Sequence, residues 1–126
     1  MQVEHKSEVR NLSVNEALKN AIQPIVTICV PDQYTGDSDE YCTFNYTEIP
    51  DEFGDDQPWL TRYAVQLHWY LPAGVNSIAR KRSIRRALIA ADFTAPTITP
   101  AHDDDGQHYV FECEWLGGID DGDIQQ

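Results

Sequence analysis

The sequence predicts a single α+β domain. The elements are expected in the order α-β-β-β-α-β-β, with an antiparallel-rich mixed sheet and both helices packed on one face. Three observations carry this. A capping box opens an apolar helical periodicity near the N-terminus. A long period-two alternation occupies residues 61–71. An Asp-Gly turn joins two strand-like stretches near the C-terminus. Runs of consecutive strands joined by turns pair antiparallel, and two helices against such a sheet make one core. The chain has 126 residues, enough for one domain at roughly 150 residues per domain. Its expected organisation is an N-terminal arm at 1–12, a domain at 13–116 and a disordered acidic tail at 117–126.

Ser13-Val-Asn-Glu16 has the form of a capping box, the Ser13 hydroxyl taking the N–H of Glu16 and Glu16 reaching back to Ser13. Val14, Ala17, Leu18, Ala21 and Ile22 follow at the spacing of one helical face, and Leu12 is placed to staple the entry. Pro24 stops the helix, so the first helix is expected over 14–22. Residues 25–30 form a β-branched apolar run and predict a buried strand, ended by Pro31. Residues 32–40 hold Gly36, Ser38 and four acids and predict a loop. Residues 41–47 alternate, with Cys42, Phe44 and Tyr46 on one face. Residues 48–58 contain two prolines, a glycine and five acids, and predict a long acidic loop.

The clearest strand is 61–71. Tyr63, Val65, Leu67, Trp69 and Leu71 point to the core, and Arg62, Ala64, Gln66, His68 and Tyr70 point away. Pro72-Ala-Gly74 makes a turn. Asn76 or Ser77 caps a second helix that reaches Ala91. The prolines around residues 97–99 allow only a short edge strand. Asp103-Asp-Asp-Gly106 is a hairpin turn. The last strand is expected over 107–116, with Tyr109, Phe111, Cys113 and Trp115 on the core face.

The formal charge is −12, and it is segregated. Residues 31–58 carry nine acids and no base. Residues 59–91 carry six bases and no acid. Residues 92–126 carry nine acids and no base. A chain this acidic repels phosphate, which argues against non-specific binding to nucleic acid or to an anionic membrane. No apolar run approaches the roughly 20 residues of a membrane span. The start, Met1-Gln-Val-Glu-His-Lys6, lacks the apolar stretch of a secretory leader, so a cytosolic protein is expected. Cys29, Cys42 and Cys113 are odd in number and form no C-x-x-C pair. They read as buried thiols.

The second helix is the most informative element. Ile84, Ala87, Leu88 and Ala91 form its apolar face. Arg82, Arg85, Arg86 and Ile89 form a second face at the same spacing, with Ile78 close by. A solvated helix face is the plain reading. Arginine among exposed apolar neighbours also suits a protein interface. The complementary surface is available in the same chain, in Glu48, Asp51, Glu52, Asp55 and Asp56. Basic helix against a neighbour's acidic loop is a heterologous contact, the kind that closes into a ring.

His102-Asp-Asp-Asp-Gly-Gln-His108 invites a metal-site reading. Asp103, Asp105, Gly106 and Glu112 fall at positions 3, 5, 6 and 12 of a calcium loop. Position 1 is Ala101, which offers no side-chain ligand, and the flanks read as strands. The expectation is an acidic turn with no metal and no cofactor. His5, His68, His102 and His108 are candidate bases, but no nucleophile elbow, P-loop or G-x-G-x-x-G accompanies them. The paired carboxylates lie in loops without an apolar wall to raise a pKa. A non-enzymatic protein is expected. Among the aromatic residues, Trp59 and Tyr70 are the ones placed to contact a partner.

Five segments carry a family resemblance. They are Tyr34-Thr-Gly-Asp-Ser-Asp-Glu-Tyr41, Thr43-Phe-Asn-Tyr46, Arg62-Tyr-Ala-Val-Gln-Leu-His-Trp-Tyr70, Arg80-Lys-Arg-Ser-Ile-Arg-Arg-Ala-Leu88 and Asp104-Asp-Gly-Gln-His-Tyr-Val-Phe-Glu-Cys-Glu114. Together they resemble small proteins of tailed-phage and prophage morphogenesis clusters, the tail-terminator or tail-completion family, close to head–tail joining proteins. The resemblance spans 12–116. It implies a hexameric ring that caps the tail tube, ends its polymerisation and meets the head connector, in the virion at the head-proximal end of the tail. The partners so implied are further copies of the chain, the tail-tube protein and a connector or head-closure protein, with assembly in the bacterial host cytoplasm. It carries no catalytic residues. DNA passes through such a ring, and an acidic wall keeps phosphate from sticking. The alternatives are a head-closure or other tail-completion protein, or a metal-binding module or adaptor using His102–His108.

Overall fold

A computed structural model of the protein describes residues 12–53 and 57–117, without the side chains of residues 50–53 and 57–60. The elements are α1 (Val14–Ile22), β1 (Cys29–Pro31), β2 (Tyr41–Phe53), β3 (Gln57–Leu71), α2 (Ile78–Ala90), β4 (Thr97–Pro100) and β5 (Gln107–Gly117). This is the α-β-β-β-α-β-β order read from the sequence, and the class is α+β. The five strands form one sheet in the order β1-β2-β3-β5-β4. β1 pairs parallel with β2, and every other pair is antiparallel. The 1–11 part of the expected arm and the tail from residue 118 lie outside the described residues.

α1 begins as its capping box requires. The N–H of Glu16 donates to Ser13 Oγ at 3.2 Å, and the N–H of Ser13 donates to Glu16 Oε1 at 3.2 Å. Val14, Ala17, Leu18 and Ile22 are buried. α2 buries Ile84 and Leu88. It ends in a Schellman arrangement. Phe93 N–H donates to Leu88 O and Asp92 N–H to Ile89 O, with Asp92 at φ 72° where glycine is usual. Both helices lie on the sheet face that carries Phe44, Leu67, Trp69 and Phe111, all fully buried. The inward residues of β3 are those expected from the alternation.

Two expectations about local structure are corrected. The apolar run 25–30 is mostly not strand. Ile25 and Val26 donate their N–H groups back to Ile22 O, so this stretch continues the helix end as turns, and of the run only Cys29 and Val30 belong to the strand, which ends at Pro31. The supposed loop 48–58 is the far half of a long hairpin. β2 runs to Phe53, and β3 begins at Gln57. The reason is topological. The backbone groups of Cys42 and Phe44 face β1, through Cys42 N–H to Ile28 O and Asp32 N–H to Phe44 O. Pro50 has the same parity, but β1 has already ended there. The missing N–H of Pro50 therefore falls on an edge that no described strand pairs with, where proline costs no ladder bond. Gly117, expected in the tail, closes β5.

Candidate interaction surfaces

Three surfaces bear on function: the outer face of α2, the helix-free face of the sheet, and a cleft at one end of that sheet. On α2, Arg82, Arg85, Arg86 and Ile89 are all exposed, as their spacing predicted. Ile78 is 57% exposed and Ile89 41% exposed, at the two ends of the stripe. The ion pairs among the described residues are Arg62–Glu114 and Arg80–Glu40. None of the three stripe arginines is in either. Neighbouring basic residues behave differently. Arg80 pairs with Glu40, lies 5.4 Å over the Trp69 ring and donates to Ile25 O at 3.3 Å. Lys81 sits 4.2 Å over the Tyr109 ring. The first turn of α2 is thus fixed to the sheet, while the arginines of the outer stripe have no ion-pair partner among the described residues. Asn76 Oδ1 accepts from Ile78 N–H at 3.0 Å, and the Ser77 hydroxyl is instead hydrogen-bonded to Tyr109 Oη at 2.8 Å.

Of the acidic residues expected to complement this stripe, only Glu48 has a described side chain. Glu48 is exposed on β2. Asp51 and Glu52 belong to β2, with side chains outside the described set, and Asp55 and Asp56 lie wholly outside it. The side chain of Trp59 is likewise not described.

On the helix-free face, the register places Tyr41, Tyr70 and His108 side by side across β2, β3 and β5. Their rings stack, with centroids 4.7 Å and then 4.2 Å apart, and Tyr34 extends the row at 4.6 Å from Tyr41. Both faces of Tyr41 and of Tyr70 are therefore covered. The row offers ring edges and hydroxyls, not the free π-faces on which a base stacks. Burial and the neighbouring Tyr41 hold the Tyr70 phenol above its usual range, so it stays a neutral hydroxyl.

His68 lies beside this row. Its Nδ1 is 2.8 Å from His108 Nε2, and its Nε2 is 3.3 Å from Gln66 Oε1. Gln66 donates its amide to Glu112 Oε2 at 2.9 Å. That bond orients the amide, so Gln66 Oε1 accepts from His68 Nε2–H. His68 Nδ1 then accepts from His108 Nε2–H. Burial holds both imidazoles below the ordinary value of 6.5. Each also feels a second histidine that opposes protonation, His108 beside His68 and His102 beside His108. Glu112 near His68, and the Ala101 backbone and Asp103 near His108, work the other way.

The 102–108 segment is a turn. Asp103 and Gly106 pair across it, and Asp103 Oδ1 accepts from Asp105 N–H at 2.9 Å. His102 Nδ1 accepts from His108 N–H at 3.0 Å, and its ring meets the Tyr109 ring edge-on. The His102 ring is thus committed to the His108 backbone and the Tyr109 ring, and the His108 ring to His68. Among the described residues, no three His, Cys, Asp or Glu side chains are placed to hold a metal ion together. The three cysteines are buried, and burial raises the thiols of Cys29 and Cys113 to about 12 and that of Cys42 well above its usual 9.0.

The cleft lies where the 32–40 loop meets the 103–106 turn. Asp39, Asp103, Asp105, Tyr41, Tyr70 and Gln107 line a cavity of about 260 Å³ together with Leu71 and Gly106. Gly106 is required there. At φ 153° a Cβ would come within 2.8 Å of Leu71 O, so only glycine lets the turn close against the end of β3. Among the described residues, no basic side chain lines this cleft. A shallower groove of about 480 Å³ lies further along the same face around Ala64, where the small side chain leaves a depression between Thr47 and Glu114. Its carboxylates are already engaged, Glu112 by Gln66 and Glu114 by Arg62 at 4.0 Å. An apolar cleft of about 340 Å³ between the helices, around Ala17, Ala21, Ala87, Ala91 and Trp115, has no ionisable lining residue.

The basic stripe is legible in the sequence, whereas the acidic cleft and the histidine pair are not. The cleft joins three segments, and the pair depends on the register between residues 40 apart. The only local signal was the outward parity of His68 and Tyr70. No protein-family model, no curated protein and no solved structure matches this chain.

Proposed function

We propose that the protein is a structural assembly subunit of the tail-terminator type. Copies associate head to tail into a ring, with six subunits as the family resemblance implies. The ring caps a tail tube, ends its polymerisation and meets the head connector. DNA passes through its acidic lumen without being held. In this reading the protein acts by shape and charge, not by catalysis.

The observation that carries the reading is the outer stripe of α2. Three arginines with no ion pair among the described residues lie between two exposed isoleucines on a helix whose other side is locked into the core. Surface arginines on a chain of net charge −12 have abundant acid to pair with, yet these three face outward together. That is the composition of an interface rim and anchor. The α+β order agrees with what the resemblance implies. The net charge of −12 would repel a phosphate backbone.

The test is functional. Purified protein is added to tail-tube subunits polymerising in vitro, and the tubes are viewed by negative-stain microscopy. The expected outcome is arrested tubes with a ring at one end. Tubes that grow to unchanged length, with bare ends, would contradict the reading.

A further inference from the structure

We propose that the receiving site for the α2 stripe is the acidic, tyrosine-walled cleft of a second copy of this chain. Arg85 and Arg86 of one copy enter the cleft formed by Asp39, Asp103, Asp105, Tyr41 and Tyr70 of the next. This rests on the head-to-tail reading above and names the surface that completes it.

Charge complementarity selects the occupant. Among the described residues, the cleft gathers three aspartates with no cation lining it, and none of the three is in an ion pair. The stripe presents three guanidinium groups in the same condition. A guanidinium is planar and carries five donors in a fixed fork, so it can bridge two carboxylates and still donate to a phenol oxygen. It is also weakly hydrated, which lowers the cost of entering a partly enclosed cavity. The stripe from Ile78 to Ile89 is about 16 Å long at 1.5 Å per residue, and its isoleucines give the contact apolar ends.

Other acceptors fit less well. Around Ala64, Glu112 is held by Gln66 and Glu114 faces Arg62, so an incoming arginine would compete with contacts already made. Glu48 is exposed on a strand and not on the cleft lining. An anionic polymer is repelled by the aspartates. The stripe and the cleft are different patches of one surface, so each copy both gives and receives. That contact is heterologous and propagates until it closes.

The experiment uses two variants of the full chain and their mixture. In Arg85→Glu/Arg86→Glu the donor is spoiled and the cleft kept. In Asp39→Leu/Asp105→Leu the cleft is filled by neutral side chains that offer nothing to the other variant's glutamates, and the stripe is kept. Circular dichroism checks that both fold, and light scattering gives the mass. The wild type is expected to assemble and each variant alone to be a monomer of 14.3 kDa. The equimolar mixture is expected to form a particle of twice that mass and nothing larger, because one good donor meets one good acceptor and both outer ends are dead. The milder Asp39→Asn/Asp105→Asn is expected to weaken assembly at least about tenfold, as losing a desolvated charge pair does. If the cleft variants assemble like the wild type while the arginine variant is monomeric, the cleft assignment is wrong and the head-to-tail reading stands. If the arginine variant assembles like the wild type, or the wild type is itself monomeric and the mixture forms no pair, both are overturned.

Discussion

Replacing Glu40 by alanine is expected to destabilise the fold more than any other change at a partly exposed acid. Glu40 Oε2 accepts from Trp69 Nε1 at 3.0 Å and also pairs with Arg80. Trp69 is fully buried, so its indole N–H has no water to turn to when the carboxylate is gone. A buried donor left without a partner costs about 1–3 kcal/mol. The Arg80 pair adds little, roughly 0.5 kcal/mol, because the two side chains are 35% and 27% exposed and solvent screens them. The total is about 1.5–3.5 kcal/mol, or a fall in Tm of roughly 10 °C for a domain of this size. Glu40→Gln keeps an oxygen for the indole and is expected to lose only about 1 kcal/mol. Urea denaturation followed by tryptophan fluorescence measures both. If Glu40→Ala stays within about 0.5 kcal/mol of wild type, the indole is not held as described and the anchoring of α2 through Arg80 must be reconsidered.

Further outcomes are expected elsewhere. The native state disfavours protonation of His68 and His108, so the unfolded chain binds more protons below pH 6.5. Stability should therefore fall as pH drops from 6.5 toward the lowered native values and level off beneath them. A His68→Gln/His108→Gln variant should show a flatter profile of denaturation midpoint against pH. Leu88→Ala, in the fully buried face of α2, is expected to cost about 2–5 kcal/mol by the same denaturation assay. Ser13→Ala breaks the capping box and should cost about 1 kcal/mol. The three thiols should react with an aromatic disulfide reagent only as the protein unfolds, since they are buried and held protonated. Rapid labelling of the native protein would contradict that.

What was legible in the sequence was mostly local. The capping box at Ser13 and the alternation through 61–71 each depend on residues within a turn or a strand of one another, and both were placed with their core faces right. The Asp-Gly turn likewise marked its own hairpin. The errors arose where neighbours decide. Residues 25–28 have strand propensity, but their first N–H groups are captured by the end of α1. Pro50 and the acids around it read as loop, and only the early end of β1 makes that stretch an edge where proline is harmless. Of the candidate surfaces, the basic stripe was legible because one helix carries all of it. The cleft was not, because Asp39, Tyr70 and Asp105 come from a loop, a strand and a turn. The same holds for His68 and His108, whose meeting is a matter of β3–β5 register.

Self-association through the outer face of α2 is most directly tested by the solution mass of the wild type beside that of Arg85→Glu/Arg86→Glu, by sedimentation velocity over a range of concentrations and salt. The wild type is expected as a multi-subunit particle that weakens in high salt, and the variant as a folded monomer of 14.3 kDa. The same mass for both proteins under every condition would contradict the claim.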